Sequence, residues 1–199
     1  MFNVTHLIES GGLLLIASII FAETGLLVGF FLPGDTLLLS AGVFVAQGRL
    51  SLPVTILTVV IASIAGNAAG YYIGKKSGKR IFSKSDGLFF RSEYIERAEK
   101  FYEKHGGKTI LFARFIPIVR TFAAVVAGVA AMNFDVFMLY NVLGGILWGG
   151  GMVLLGYEFG SRIPNIDHYV LPVVLLAMLA SFAPMSYHLG KAWLEKRKG

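Results

Sequence analysis

The chain alternates long apolar stretches with short charged ones. Three stretches are long enough to cross a bilayer as a helix, which takes about 20 residues. Residues 52–74 and 137–157 contain no Asp, Glu, Lys or Arg, and 169–189 holds His188 as its one titratable side chain besides tyrosine. Two further stretches are apolar but broken. Residues 13–45 are interrupted by Glu23 and by Pro33-Gly34-Asp35, and residues 109–131 by Arg114, Pro117 and Arg120. The pattern predicts an all-α integral membrane protein, one membrane domain over residues 1–199, with several transmembrane helices. The N-terminus does not read as a signal peptide. Residues 1–12 hold no Lys or Arg, and no small-residue cleavage pattern follows. A retained hydrophobic element is the simpler reading.

Composition agrees with this class. Hydrophobic residues make up 55% of the chain, and 24 glycines come on top. A soluble domain reaches about 45–50% with glycine included. With no cysteine, disulfides and thiolate metal sites are excluded. His6, His105, His168 and His188 are scattered without metal-ligand spacing, so neither metal nor cofactor is expected.

The net charge of +6 changes the picture further, because it is concentrated. Residues 75–108 carry ten Lys/Arg against five Asp/Glu, and 191–199 carry four against one. Residues 158–168 hold Arg162 alone against Glu158 and Asp167. The positive-inside rule puts the central loop and the C-terminus in the cytoplasm. Both can lie inside only if 109–131 enters and leaves on the cytoplasmic side while 137–157 and 169–189 cross. A re-entrant hairpin with Pro117 near its tip follows from charge. Within the central loop, 75–108, apolar positions between Arg91 and His105 recur at helical spacing. That reads as an amphipathic helix at the cytoplasmic surface, or else a soluble helix packed on the loop. Nucleic-acid binding is a poor account of the basic excess, which topology alone demands.

The two halves share spacing. Gly42 of Ala41-Gly42 precedes Gly70 of Gly70-Tyr71-Tyr72-Ile73-Gly74 by 28 residues. Gly128 of Ala127-Gly128 precedes Gly156 of Gly156-Tyr157-Glu158-Phe159-Gly160 by the same 28. Each half is a proline-broken segment, then Ala-Gly, then a span ending Gly-Tyr-x-x-Gly, over 10–74 and 109–160. The first span runs inward and the second outward. The expectation is an inverted repeat with two re-entrant hairpins, their tips at Pro33-Gly34 and Pro117, as in many transporters with sites at broken helices. Glycines spaced by four (Gly66, Gly70, Gly74, Gly78) form a stripe that suits close helix packing.

Candidate chemistry lies in the breaks. Glu23, Asp35, Arg114 and Arg120 sit in apolar sequence, where a charge at the bilayer centre costs about 2.5 kcal/mol or more. The first half supplies two acids and the second two arginines. Locking salt bridges are one reading, and Pro-Gly-Asp also suits a turn. The functional reading divides the labour. Arg114 and Arg120 offer planar forks of donors for phosphate oxygens. Glu23 and Asp35 are the proton-coupling candidates, since desolvation and neighbouring arginines pull a carboxylate's proton affinity in opposite directions. Asn67 and Asn141 can bond across helices. Tyr71 and Trp148 are secondary candidates, Trp148 reading more as packing than as a substrate platform. No nucleophile–base constellation is readable, so an enzyme is the least favoured class.

These residues together resemble the DedA family, also called the SNARE-associated or VTT-domain family, of bacterial inner-membrane proteins. The resemblance covers about residues 10–190. It rests on Glu23, Phe30-Phe31-Leu32-Pro33-Gly34-Asp35, Ala41-Gly42, Gly66 through Tyr72-Ile73-Gly74, Arg114-Phe115-Ile116-Pro117-Ile118-Val119-Arg120 and Ala127-Gly128. Gly66-Asn67 departs from the Gly-Asp of many members. The resemblance implies a multi-pass protein of the bacterial inner (cytoplasmic) membrane that carries a phosphate-bearing lipid. Undecaprenyl phosphate is the favoured substrate, and transport depends on the proton-motive force. A proton-coupled exporter of small cations, a phospholipid scramblase and a non-transporting scaffold remain alternatives. The partners implied are membrane lipids with anionic headgroups and protons.

Overall fold

The computed structural model of the chain describes residues 4–26, 34–82, 100, 102 and 106–162. Helix α1 spans Val4–Gly25, α2 Gly34–Ala46 and α3 Leu52–Phe82. After the central loop come α4, Lys108–Ala113, and α5, Pro117–Val129. A further long helix begins as α6, Phe134–Gly145, widens into a π-helical turn at Ile146–Gly150 and continues as α7, Gly151–Arg162. Pro33, the C-terminal span at 169–189 and most of the amphipathic helix expected at 91–105 lie outside the described residues. Lys100 and Tyr102 of that helix are described, and both are helical.

Among the described residues, two helices are long and apolar enough to cross a membrane, Leu52–Ser77 and Phe134–Arg162. Helix α3 continues past Gly74 through Lys75 and Lys76, so the span predicted to end at Gly74 leads into the basic loop as unbroken helix. The second broken segment has a local cause. Ile116 is extended (φ −113°, ψ 107°), and Pro117 opens α5. A residue before proline is pushed out of the helical region, while proline itself suits a first helical turn. At the start of α6, Asn133 caps the helix by accepting from the backbone N–H groups of Asp135 and Val136 at 2.9 and 3.1 Å.

Side chains are distributed as a lipid solvent requires. Large apolar residues such as Leu57, Ile61, Leu139, Leu147 and Leu155 are exposed, while Glu23, Thr55, Ser63, Asn67, Arg114, Arg120 and Asn141 are buried. In water this would be an inverted arrangement. In lipid it is the stable one, because polar groups must find partners inside the protein. The chain is an all-α membrane protein.

Glycines set how the helices meet across the two halves. A Cβ on Gly42 of α2 would lie 2.2 Å from the Val153 carbonyl oxygen of α7, and one on Gly156 of α7 would lie 2.1 Å from that of Leu39. Likewise a Cβ on Gly128 of α5 would lie 2.0 Å from the Tyr71 carbonyl oxygen of α3, and one on Gly74 would lie 2.0 Å from that of Val125. So α2 of the first half packs on α7 of the second, and α5 of the second on α3 of the first. Only residues without side chains allow backbones so close. Two apolar cores result. One gathers Ile20, Leu38, Val59, Trp148 and Val153, the other Tyr71, Ile110, Ala124, Ala127 and Phe137.

Candidate functional site

Three segments bring charges together. Helix α1 supplies Glu23 near its C-terminal end, α2 supplies Asp35 in its first turn, and α5 supplies Arg120. A negative side chain in a helix's first turn also suits the positive end of its dipole. Arg120 Nη2 donates to Glu23 Oε1 in a short contact, and Nη1 donates to Asp35 Oδ1 at 2.8 Å. Nη2 also reaches Asp35 Oδ2 at 3.3 Å. Glu23 and Arg120 are fully buried, whereas the Asp35 side chain is 38% exposed.

Trp148 completes this cluster. Its indole Nε1–H donates to Asp35 Oδ1 at 2.9 Å, and the Arg120 guanidinium lies over its ring, 4.4 Å from the centroid. A cation held over an aromatic face gains further electrostatic attraction. Reading Trp148 chiefly as packing missed both contacts. The residue sits in the π-helical turn, and such turns, rare overall, are frequent at functional sites. The available sequence signal was the glycine flanking: Gly144-Gly145 before and Gly149-Gly150-Gly151 after.

Gly34 has a role that a turn tip does not describe. A Cβ there would fall 1.5 Å from Glu23 Oε2. The carboxyl of Glu23 therefore occupies the space a side chain at position 34 would take.

Arg114 lies in different surroundings. It follows α4 and inserts between α3 and α6. Its Nη2 donates to Asn141 Oδ1 at 2.5 Å and approaches the Ser63 carbonyl at 3.4 Å. With the Asn67 amide turned so that its nitrogen meets the Thr24 carbonyl at 2.8 Å, its oxygen accepts from Arg114 Nη2 at 2.9 Å. Asn141 Nδ2 donates to the Ile64 carbonyl at 3.0 Å. Nε and Nη1 of Arg114 are buried with no hydrogen-bond partner among the described residues. Tyr71 stands apart, its hydroxyl donating to the Met132 carbonyl and its ring against Phe134 and Phe137. Among the described residues, no group of three His, Cys, Asp or Glu side chains comes together as a metal site would require.

Lipid-facing helices around a buried cluster of acids and an arginine define a membrane protein whose polar chemistry is internal. The VTT-domain family model matches residues 32–158. The protein named DedA from Escherichia coli strain K12 is 42% identical over 168 residues, covering 83% of this chain and 76% of its own length. The inner membrane protein YqjA of the same organism is 35% identical over 167 residues, covering 79% and 76%. An uncharacterized membrane protein of Mycobacterium tuberculosis, Rv0364, is 35% identical over 181 residues, covering 90% and 79%. The chain belongs to the VTT-domain (DedA) family. No solved structure matches it.

Proposed function

We propose that this protein carries a phosphate-bearing lipid, undecaprenyl phosphate being the favoured one, between the leaflets of the bacterial inner membrane. Family membership supports membrane transport rather than catalysis. The observation that carries the reading is the Glu23–Arg120–Asp35–Trp148 cluster, buried except at Asp35. A guanidinium fork suits a phosphate headgroup, and a carboxylate bound to it can exchange a proton as the headgroup comes and goes. Arg120 and Arg114 are the headgroup's partners. Glu23 and Asp35 couple its movement to protons. A cationic substrate would need acids free of arginine, and here both acids are bonded to Arg120.

The same reading covers the architecture. The exchanged glycine contacts, Gly42 with α7 and Gly128 with α3, support an inverted repeat of residues 10–74 and 109–160 around two re-entrant hairpins. The central loop and C-terminus lie in the cytoplasm. Single cysteines at Thr36 and Phe115 test this cleanly in a cysteine-free chain, and Thr36 avoids the collision that any side chain at Gly34 makes with Glu23. Ready labelling of position 36 from the cytoplasm, or of 115 from outside, by bulky impermeant reagents refutes the hairpins.

For transport, purified protein in liposomes is expected to move labelled polyprenyl phosphate between leaflets and leave a cationic dye unmoved. Arg120→Lys keeps the charge and loses the fork. It is expected to reduce transport at least about tenfold, the loss of one good charge-assisted contact. Glu23→Gln is expected to remove the response to a pH gradient. Movement of the dye in place of the lipid overturns the reading. A loss of transport only in proportion to lost folded protein makes the cluster a lock instead.

A further inference from the structure

The Asp35 carboxylate sits where several donors converge on one acceptor. Its Oδ1 accepts from both Arg120 Nη1, at 2.8 Å, and Trp148 Nε1, at 2.9 Å, and its Oδ2 from Arg120 Nη2, at 3.3 Å. Arg120 and Trp148 are 5% and 3% exposed, while the Asp35 side chain is 38% exposed. The donors are fixed in the interior and the acceptor stands at the open edge. Glu23 differs in both respects. It is 3% exposed, and its carboxyl fills the notch at Gly34. Glu23 has no room to leave, and Asp35 has.

Charge then decides how an anion can enter. Two carboxylates already share the one guanidinium of Arg120. A phosphate monoester brings a further charge of about −1.5 to −2. Like charges in contact in a poorly solvated site repel strongly, so a third anion binds by replacing one of the two already there. We infer that Asp35 is an internal occupant of the anion site. The incoming phosphate monoester displaces its carboxylate from the Arg120 fork and from the Trp148 N–H, while Glu23 stays. This rests on the phosphate-lipid reading above and adds two things to it, the group that is displaced and Trp148 as a second donor to the headgroup. An occupant built into the chain weakens binding by the fraction of time it holds the site. It also returns to the donors when the headgroup leaves, so Arg120 Nη1 and the Trp148 N–H regain an acceptor.

Binding of radiolabelled phosphatidic acid in mixed micelles, with phosphatidylcholine as the control, tests the inference on the full chain. Asp35→Asn keeps the size of the side chain and removes its charge. It is expected to bind phosphatidic acid about tenfold more tightly than the parent, because its competitor is gone. Asp35→Ala carries the same expectation should the amide variant fold poorly. Trp148→Phe keeps an aromatic ring, though a smaller one, and removes the N–H, and is expected to bind about threefold to tenfold more weakly. Equal or weaker binding by both Asp35 variants overturns the displacement, and the phosphate-lipid reading then stands on the parent's own binding. Unchanged affinity in Trp148→Phe overturns the shared donor. Absence of binding in the parent and in every variant overturns this inference together with the reading beneath it.

Discussion

Arg114 and Arg120 come from one broken segment, yet each is buried in different company. Arg120 meets two carboxylates and an indole. Arg114 meets the amides of Asn141 and Asn67 and the Ser63 carbonyl, with two of its nitrogens unbonded among the described residues. The first arrangement sets one guanidinium against two carboxylates, and the proposed exchange of anions rests on it. The second holds its guanidinium in place through neutral groups, with no carboxylate in contact among the described residues. The same residue type is thus held by acids in one place and by neutral groups in the other.

The largest effect is expected where the pairing is closest. Arg120→Ala leaves the buried Glu23 carboxylate without its cation, a change that costs about 3–5 kcal/mol when a buried pair is broken from one side. Melting in detergent reads the loss. Adding Glu23→Gln to that variant is expected to recover much of it, since the stranded charge is gone. If Arg120→Ala melts like the parent, the two arginines do not differ as described.

Next comes the notch. Gly34→Ala places a methyl 1.5 Å from the present position of Glu23 Oε2, and the carboxyl must move. Overpacking of this kind costs about 1–3 kcal/mol, and transport per folded molecule is expected to fall with it. Gly107→Ala is the matching control, since its methyl would meet the Tyr140 ring, again a side chain, at 1.9 Å and outside the Glu23–Arg120–Asp35–Trp148 cluster. It is expected to lower the melting temperature comparably and to leave transport per folded molecule near that of the parent. Equal losses of transport in the two variants would erase the distinction between site and scaffold.

Asn67→Asp makes the Arg114 site resemble the Arg120 site by supplying the acid it lacks. The guanidinium is already desolvated, so the new pair is expected to add roughly 1 kcal/mol, seen as a rise of a few degrees in melting temperature. A fall instead would mean that the charge of Arg114 is already balanced. The smallest effect belongs to Arg162→Ala. That residue pairs with Glu158 at 2.8 Å, but both side chains are more than half exposed. Its loss is expected to stay within about 0.5 kcal/mol, which separates exposed ion pairs from buried ones in the same chain.

Much of this site was legible along the chain, though unevenly. The four charges stood out because each interrupts an apolar run, and burial in lipid makes such interruptions costly. Their partners did not stand out. Arg120 lies 97 positions from Glu23 and 85 from Asp35, and hydropathy reports a residue's depth, not its neighbour. Salt bridges between the two acids and the two arginines were one reading of the sequence, but which arginine would take which acid was not legible, and both acids bond Arg120. Trp148 was read chiefly as packing because an aromatic residue within an apolar span looks like its surroundings. Its N–H bond to Asp35 spans 113 positions of the chain. Gly34 was read as a hairpin tip, and no local pattern foretold that a carboxyl from α1 would fill its side-chain space.

What the sequence by itself determined was solvent and depth. Uncharged runs of bilayer length, prolines that open or end helices, and glycines at every fourth position act through local geometry and transfer energy, so they can be read in order along the chain. Tertiary structure decided which charges are paired and which are held by amides. It did so through the backbone contacts of Gly42, Gly74, Gly128 and Gly156, which pack α2 on α7 and α5 on α3. Those contacts carry Arg120 to Glu23 and Asp35, and they arise from packing between distant segments, which no local pattern encodes.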